Sequence, residues 1–207
     1  MEFAGAEARL PLTSLPNLLT LSRILAIPLV VATFYVSGDY ARWFGCALFS
    51  AAGFTDWLDG HMARRWRQQS ELGRFLDPIA DKLLVSATLL MLTAMGRLST
   101  HAVLPALVIL CREILVSGLR EYLAGLAVGV PVSRLSKWKT AIQMVAIAVL
   151  IVGAAGPKFL PVVEIGESLL WVAALLTLVT GYDYLRASLS HLTRPPPARH
   201  GKTQHLA

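Results

Sequence analysis

The sequence is poor in charged residues and in cysteine. Only 15% of its 207 residues are Asp, Glu, Lys or Arg, whereas 55% are hydrophobic. The two cysteines, Cys46 and Cys111, lack metal-ligand spacing, and we interpret them as packing residues that say little about the redox compartment. No nucleic-acid-binding motif interleaves aromatic residues with the basic ones, which argues against nucleic-acid binding despite a net charge of +6. We find no internal repeat and no segment typical of a second, soluble domain.

Six apolar segments dominate the chain, and each has or approaches the length of about 20 residues that a helix needs to cross a bilayer. They are Asn17–Val36, Trp43–Ala63, Ile79–Met95, Val103–Leu123, Thr140–Val152 and Glu167–Leu185. Because helices satisfy their own backbone hydrogen bonds in lipid, the pattern predicts an all-α polytopic membrane protein with six transmembrane helices. The first segment contains Arg23 and follows an acidic N-terminus, which is untypical of a cleavable signal peptide.

The two ends of the chain differ from its middle. Residues 1–15 mix apolar and charged side chains, which predicts a short N-terminal interfacial helix, although a frayed terminus fits about as well. Residues 16–190 are interpreted as one six-helix membrane domain. Residues 191–207 contain three consecutive prolines and are predicted to form a disordered cytoplasmic tail.

The basic residues are distributed unequally between the two sides of the predicted bundle. With the N-terminus in the cytoplasm, the outer side receives only Arg42, Arg97 and Lys158, while most other lysines and arginines fall on the inner side. This positive-inside pattern predicts that both termini are cytoplasmic. Topology and attraction to anionic lipid account for most of the net charge.

Four carboxylates lie within one short stretch of this apolar chain. Asp56 and Asp59 are three residues apart, and Asp77 and Asp81 are four apart, so each pair shares a face of a helix. Asp77-Pro78 is typical of a helix start. A short inner connection would bring both pairs together near the cytoplasmic boundary. Like charges this close repel, so we predict bound divalent cations, which take oxygen ligands and suit two-metal phosphoryl chemistry.

Small and basic residues accompany these carboxylates. Gly60 and Ala63 would leave room for a flat or closely approaching group, Arg64 is placed to hold a phosphate, and Gly73 faces the same opening. Helix packing is the commonest use of small residues in membranes, and it suffices for Gly60 or Ala63 taken alone. Beside four carboxylates, we expect these residues to face a nucleotide.

The full pattern, Asp-x2-Asp-Gly-x2-Ala-Arg-x8-Gly-x3-Asp-x3-Asp, resembles the signature of the CDP-alcohol phosphotransferase family at all eight positions. The resemblance implies a homodimeric six-helix membrane enzyme that uses two Mg²⁺ or Mn²⁺ ions. Such enzymes transfer a phosphatidyl or similar group from a CDP-linked donor to an alcohol and release CMP. The resemblance also implies metal binding by Asp56, Asp59 and Asp77. Asp81 would be the general base and could also contact the second metal.

The resemblance further implies contacts with the CDP moiety. The expected residues are Gly60, Ala63, Arg64, Gly73, Asn17 and Thr20. Asn17, Thr20 and Arg23 recur at helical spacing, so they share one face that should look into the bundle. Capping and snorkelling are the alternative for such residues. For Arg23, which lies deeper, we expect a buried anionic partner.

Basic residues in the second half of the chain predict a second phosphate site. Arg112 and Arg120 are eight residues apart and share a helix face, and together with Lys137 they would bind the phosphate of an acceptor. A structural pair with Glu113 is the alternative for Arg112. For Lys137, the alternative is that its charge only helps to orient the helices in the membrane. For Lys139, that alternative is the preferred interpretation.

Three segments, at residues 16–24, 112–121 and 137–144, resemble the bacterial branch of the family whose acceptor is sn-glycerol 3-phosphate. The likeness extends over residues 16–185 and implies phosphatidyl transfer from CDP-diacylglycerol at the cytoplasmic face of the inner membrane. One departure is Ser136, where glycine is expected. Inositol phosphate and phosphatidylglycerol are the alternative acceptors. A cation transporter is disfavoured, because the carboxylates group at one boundary and no paired broken helices are present.

Overall fold

The computed structural model describes the backbone of residues 15–66, 71–125 and 134–192, and the side chains of 21–55, 76, 78–125, 135–186 and 188–189. The described residues contain no strand, which confirms the all-α prediction. Their helices are α1 (Leu15–Tyr35), α2 (Asp39–Trp66), α3 (Glu71–Ala94), α4 (Thr100–Gly125), α5 (Arg134–Val152) and α6 (Val162–Leu192), and a 3-10 turn, Gly153–Ala155, follows α5. All but residues 191–192 of the predicted tail, which belong to α6, and all but Leu15 of the predicted interfacial segment lie outside the described residues.

Each of the six predicted apolar segments overlaps one helix. Three helical segments are long and apolar enough to cross a membrane, namely Thr100–Gly125, Leu135–Ala155 and Val162–Arg186. Leu21–Tyr35 in α1 is apolar but shorter. Length and composition therefore indicate a membrane protein among whose described helices three are candidate spans.

The helix boundaries show one glycine turn and correct one predicted start. Gly38 has a φ of +111°, which glycine adopts without steric cost, and α2 begins directly after it at Asp39. The prediction that a helix starts at Asp77-Pro78 is wrong, because α3 already begins at Glu71 and Pro78 lies inside it. An internal proline removes one backbone hydrogen bond, and membrane helices tolerate this loss when their neighbours compensate.

The helices pack into one bundle around an apolar core. The first helix, α1, packs against α2 and α3, while α5 packs against α2 and α6, and α4 packs against α6. Fully buried core residues include Phe49, Leu84 and Ile147. A Cβ atom at Gly166 would lie 2.7 Å from Cγ of Leu150, so glycine allows the backbone of α6 to approach α5 closely.

Specific contacts connect the helices at the end of the bundle where α3 leads into α4 and α5 into α6. The backbone N–H and the hydroxyl of Ser99 donate hydrogen bonds to the Glu167 carboxylate at 2.7 and 2.9 Å. The guanidinium of Arg97 lies 4.5 Å from the centre of the Phe34 ring. The indole N–H of Trp43 donates to a carbonyl of the 3-10 turn at 3.2 Å. These contacts fix the helix ends opposite the predicted site.

Candidate active site

The predicted metal ligands lie on two consecutive helices. Asp56 and Asp59 belong to α2, and Asp77 and Asp81 belong to α3, so both pairs keep the helical spacing that places each on one face. Among the four, only the side chain of Asp81 is described. The other predicted metal and CDP residues lie outside the set whose side chains are described, namely Asp56, Asp59, Asp77, Gly60, Ala63, Arg64, Gly73, Asn17 and Thr20. Their convergence on metal and CDP stays a prediction.

Asp81 is partly buried and lines a pocket between α3, α4 and α5. The residues around this pocket include Asp81, Lys82, Glu113, Thr140, Gln143 and Met144. Two carboxylates, an amide and a hydroxyl therefore meet beside apolar side chains, an arrangement suited to a small polar ligand. Within the part of the chain whose side chains are described, no three or more His, Cys, Asp or Glu residues form a metal cluster.

An ion pair lies beside the pocket, and its Glu113 carboxylate is part of the pocket wall. The Nζ atom of Lys139 donates a hydrogen bond to Oε1 of Glu113, and the same oxygen lies 3.5 Å from a terminal nitrogen of Arg112. Lys139 is only 3% exposed, and Asp81 attracts it electrostatically. This burial disagrees with the interpretation that Lys139 only helps to fix the orientation of the helices in the membrane. A lysine with that role alone would stay in contact with water. Here its charge is compensated by the Glu113 carboxylate on α4.

The two predicted acceptor arginines both face α6. A terminal nitrogen of Arg112 donates a hydrogen bond to the Thr180 hydroxyl at 3.2 Å. Gly181 leaves room for this side chain, since a Cβ atom there would lie 3.1 Å from Cγ and 3.2 Å from Nε of Arg112. The guanidinium of Arg120 lies 5.9 Å from the centre of the Tyr184 ring. The shared face predicted from the eight-residue spacing is thus present in the bundle.

The other two predicted basic residues have contrasting environments. Lys137 is exposed in the first turn of α5. Arg23 is 1% exposed and among the largest fully buried side chains, which confirms that it looks into the bundle. Binding of an acceptor phosphate by Lys137, and pairing of Arg23 with an anion, stay predictions.

Sequence reasoning overlooked one polar residue of the pocket and misinterpreted a second one beside it. Besides misinterpreting Lys139, it assigned no role to Gln143, which is 3% exposed and lines the pocket beside Asp81. The two residues are four positions apart and therefore share one face of α5. Two polar residues at this spacing, where the apolar part of α5 begins, indicate a buried polar site, and this signal was available in the sequence.

Comparison with known proteins identifies relatives over most of the chain. Residues 13–179 match the family model described as CDP-alcohol phosphatidyltransferase. A protein of Rickettsia bellii named CDP-diacylglycerol–glycerol-3-phosphate 3-phosphatidyltransferase is 47% identical over 174 residues, which cover 84% of this chain and 94% of the relative. A protein of the same name from Cereibacter sphaeroides is 38% identical, covering 86% of this chain and 97% of the relative. An Arabidopsis thaliana relative, whose name adds the number 2, is 41% identical, covering 84% and 78%.

Proposed function

Because the chain belongs to the CDP-alcohol phosphatidyltransferase family, we propose that it transfers a phosphatidyl group from CDP-diacylglycerol to a hydroxyl of sn-glycerol 3-phosphate. The products are phosphatidylglycerophosphate and CMP. The observation that carries this proposal is the 47% identity, over 84% of the chain, with a relative named for this reaction. The family match also confirms the resemblance indicated by the eight-position motif.

The proposed chemistry centres on Asp81. A hydroxyl is a weak nucleophile until a base within hydrogen-bonding reach removes its proton. The Asp81 carboxylate lines a pocket large enough for a small polar group and is assigned this role. The hydroxyl oxygen then forms a bond to the phosphorus that carries the diacylglycerol. The bond from that phosphorus to CMP breaks, and the proton passes to Asp81.

The family is generally dependent on a divalent metal. We assign the metal to Asp56, Asp59 and Asp77, with Asp81 as a further ligand, because a set of carboxylates suits hard cations such as Mg²⁺ or Mn²⁺. A pair of bound ions would stabilise the charge on the reacting phosphates. Around them, the CDP moiety is assigned to Gly60, Ala63, Arg64, Gly73, Asn17 and Thr20.

The acceptor phosphate is assigned to Arg112, Arg120 and Lys137. Two of these side chains face α6 from the same side of α4. Arg112 already contacts Glu113 and Thr180, but its Nε has no hydrogen-bond partner among the described residues. Arginine presents several donors in a planar fork that matches phosphate oxygens, which supports the assignment.

The proposed topology has six spans, with both termini and the active site on the cytoplasmic side of a bacterial inner membrane. Exposed aromatic residues lie near both ends of the bundle, with Tyr40 and Phe159 at one end and Trp138 and Tyr182 at the other. Such belts are typical of membrane–water interfaces. Within this arrangement, residues 16–190 would form the catalytic domain, residues 1–15 an interfacial segment and residues 191–207 a tail. The proposed assembly is a homodimer.

The test is a comparison of acceptors with the purified protein in detergent–lipid micelles. The protein is incubated with CDP-diacylglycerol and Mg²⁺ or Mn²⁺, and separately with sn-glycerol 3-phosphate, inositol phosphate or phosphatidylglycerol. Released CMP and the lipid product are measured, with a reaction lacking acceptor as the control for hydrolysis. We expect metal-dependent phosphatidylglycerophosphate formation. CMP release that requires one of the other alcohols would move the chain to another branch, and no metal-dependent release would leave the transporter alternative.

A further inference from the structure

The amide of Gln143 is the unexplained polar group of the pocket. Its side chain is 3% exposed, and its Oε1 is buried without a hydrogen-bond partner among the described residues. An unsatisfied buried acceptor costs free energy, and in native structures it usually indicates a missing partner. Because Gln143 lines the same pocket as Asp81, that partner can be a ligand bound there.

Other polar groups of the pocket already have partners. The Glu113 carboxylate accepts a hydrogen bond from a buried lysine. Lys82 donates to the Ser117 hydroxyl. The Thr140 hydroxyl donates to a backbone carbonyl one turn earlier at 3.1 Å. Gln143 therefore differs from these neighbours in that its buried acceptor atom has no partner among the described residues.

The chemistry of an amide oxygen selects the ligand group. A carbonyl oxygen accepts hydrogen bonds, so its partner must carry a donor. A fully ionised phosphate has none, whereas a hydroxyl has one. The glycerol acceptor of the proposed reaction carries two hydroxyls on adjacent carbons, a primary one that reacts and a secondary one that does not.

We propose that Gln143 Oε1 accepts a hydrogen bond from the non-reacting secondary hydroxyl of the acceptor and thereby selects acceptors that carry it. This inference rests on the proposed function. When the primary hydroxyl lies at Asp81, the secondary hydroxyl on the adjacent carbon lies in the same pocket, on whose wall Gln143 stands. Asp81 removes a proton, whereas Gln143 binds and orients. A site built to hydrogen-bond a substrate hydroxyl strongly rejects an analogue that lacks it.

The experiment compares two acceptors with the full-length protein. One is sn-glycerol 3-phosphate, and the other is 3-hydroxypropyl phosphate, which keeps the primary hydroxyl and the phosphate but lacks the secondary hydroxyl. We expect the wild-type kcat/KM to favour sn-glycerol 3-phosphate by about a hundredfold or more. Gln143→Met keeps the length of the side chain but removes the acceptor atom. It should lower kcat/KM for sn-glycerol 3-phosphate by roughly ten- to a hundredfold and change that for 3-hydroxypropyl phosphate by less than about threefold.

Thr177→Val is the matched control. The Thr177 hydroxyl is also fully buried without a hydrogen-bond partner among the described residues, but it lies in α6 and does not line this pocket. Its replacement should leave the ratio between the two acceptors unchanged. A Gln143→Met enzyme that loses activity equally with both acceptors has lost only packing, and the inference is then wrong.

The wild-type measurements keep the test decisive even when the variant does not fold. Wild-type protein that uses both acceptors equally well contradicts the role of Gln143 while leaving the proposed function intact. Wild-type protein that forms no product with sn-glycerol 3-phosphate overturns the proposed function, and the inference with it. The two failures are therefore distinguishable.

Discussion

Replacing Lys139 with methionine tests whether the buried ion pair holds α5 against α4. Methionine has a similar length and is compatible with an apolar environment, but it cannot pair with Glu113. Among the described residues, the carboxylate would then keep Arg112 as its partner, at 3.5 Å. The change therefore removes one charge from a network of three, and it leaves the helix itself intact.

The expected magnitude follows from the burial of both partners. Breaking a buried ion pair from one side typically costs about 3–5 kcal/mol, because the other charge is left uncompensated. The Glu113 side chain is 20% exposed and retains a second partner. We therefore expect a loss of about 2–3 kcal/mol for Lys139→Met. The double variant Lys139→Met/Glu113→Gln should recover only part of this loss, because the carboxylate is then neutral but Arg112 has lost its anionic partner.

The assay is unfolding of the purified protein in mixed micelles with increasing dodecyl sulfate, followed by tryptophan fluorescence and circular dichroism. Lys137→Met is the matched control, since Lys137 is exposed two residues earlier in the same helix. Its free energy of unfolding should stay within about 0.5 kcal/mol of the wild type. If the Lys139 and Lys137 variants are equally stable, the ion pair does not hold the two helices together.

Three further changes test other parts of the bundle. Asp81→Asn should abolish CMP release while CDP-diacylglycerol binding, measured by equilibrium dialysis, stays within about twofold, because a neutral amide cannot act as the base; near-normal turnover would remove Asp81 from that role. Gly181→Ala should raise the KM for the acceptor several-fold by displacing Arg112. Gly118→Ala should leave this KM unchanged, because no atom lies within 4 Å of the added Cβ. Equal KM values for the two variants would contradict a role of Gly181 in positioning Arg112. Glu167→Gln should lower the free energy of unfolding by about 1 kcal/mol, because a neutral amide is a weaker acceptor for the two hydrogen bonds at the start of α4; unchanged stability would show that this contact contributes nothing.

The helices could largely be predicted from the sequence, since apolar length and local turn residues carry that information. The turn at Gly38 and the shared face of Arg112 and Arg120 both follow from neighbouring residues. The start of α3 could not be predicted in this way. Asp77-Pro78 matched a local helix-start pattern, whereas the chain is already helical from Glu71. A proline pattern reports where a helix is allowed to begin, and packing against neighbouring helices can extend the helix beyond it.

Motif spacing along the chain was enough to identify the family and to nominate the acidic residues, because residues three or four apart on a helix share a face wherever that helix packs. The partner of Lys139 required the folded bundle. Glu113 is 26 positions away on another helix. No local sequence pattern specifies which helices pack together or which of their residues lie at the same level along the bundle. The same holds for Gln143, whose unsatisfied oxygen becomes visible only when α3, α4 and α5 enclose it in one pocket. Helical periodicity acts within a few residues, whereas burial and charge compensation depend on contacts between distant segments.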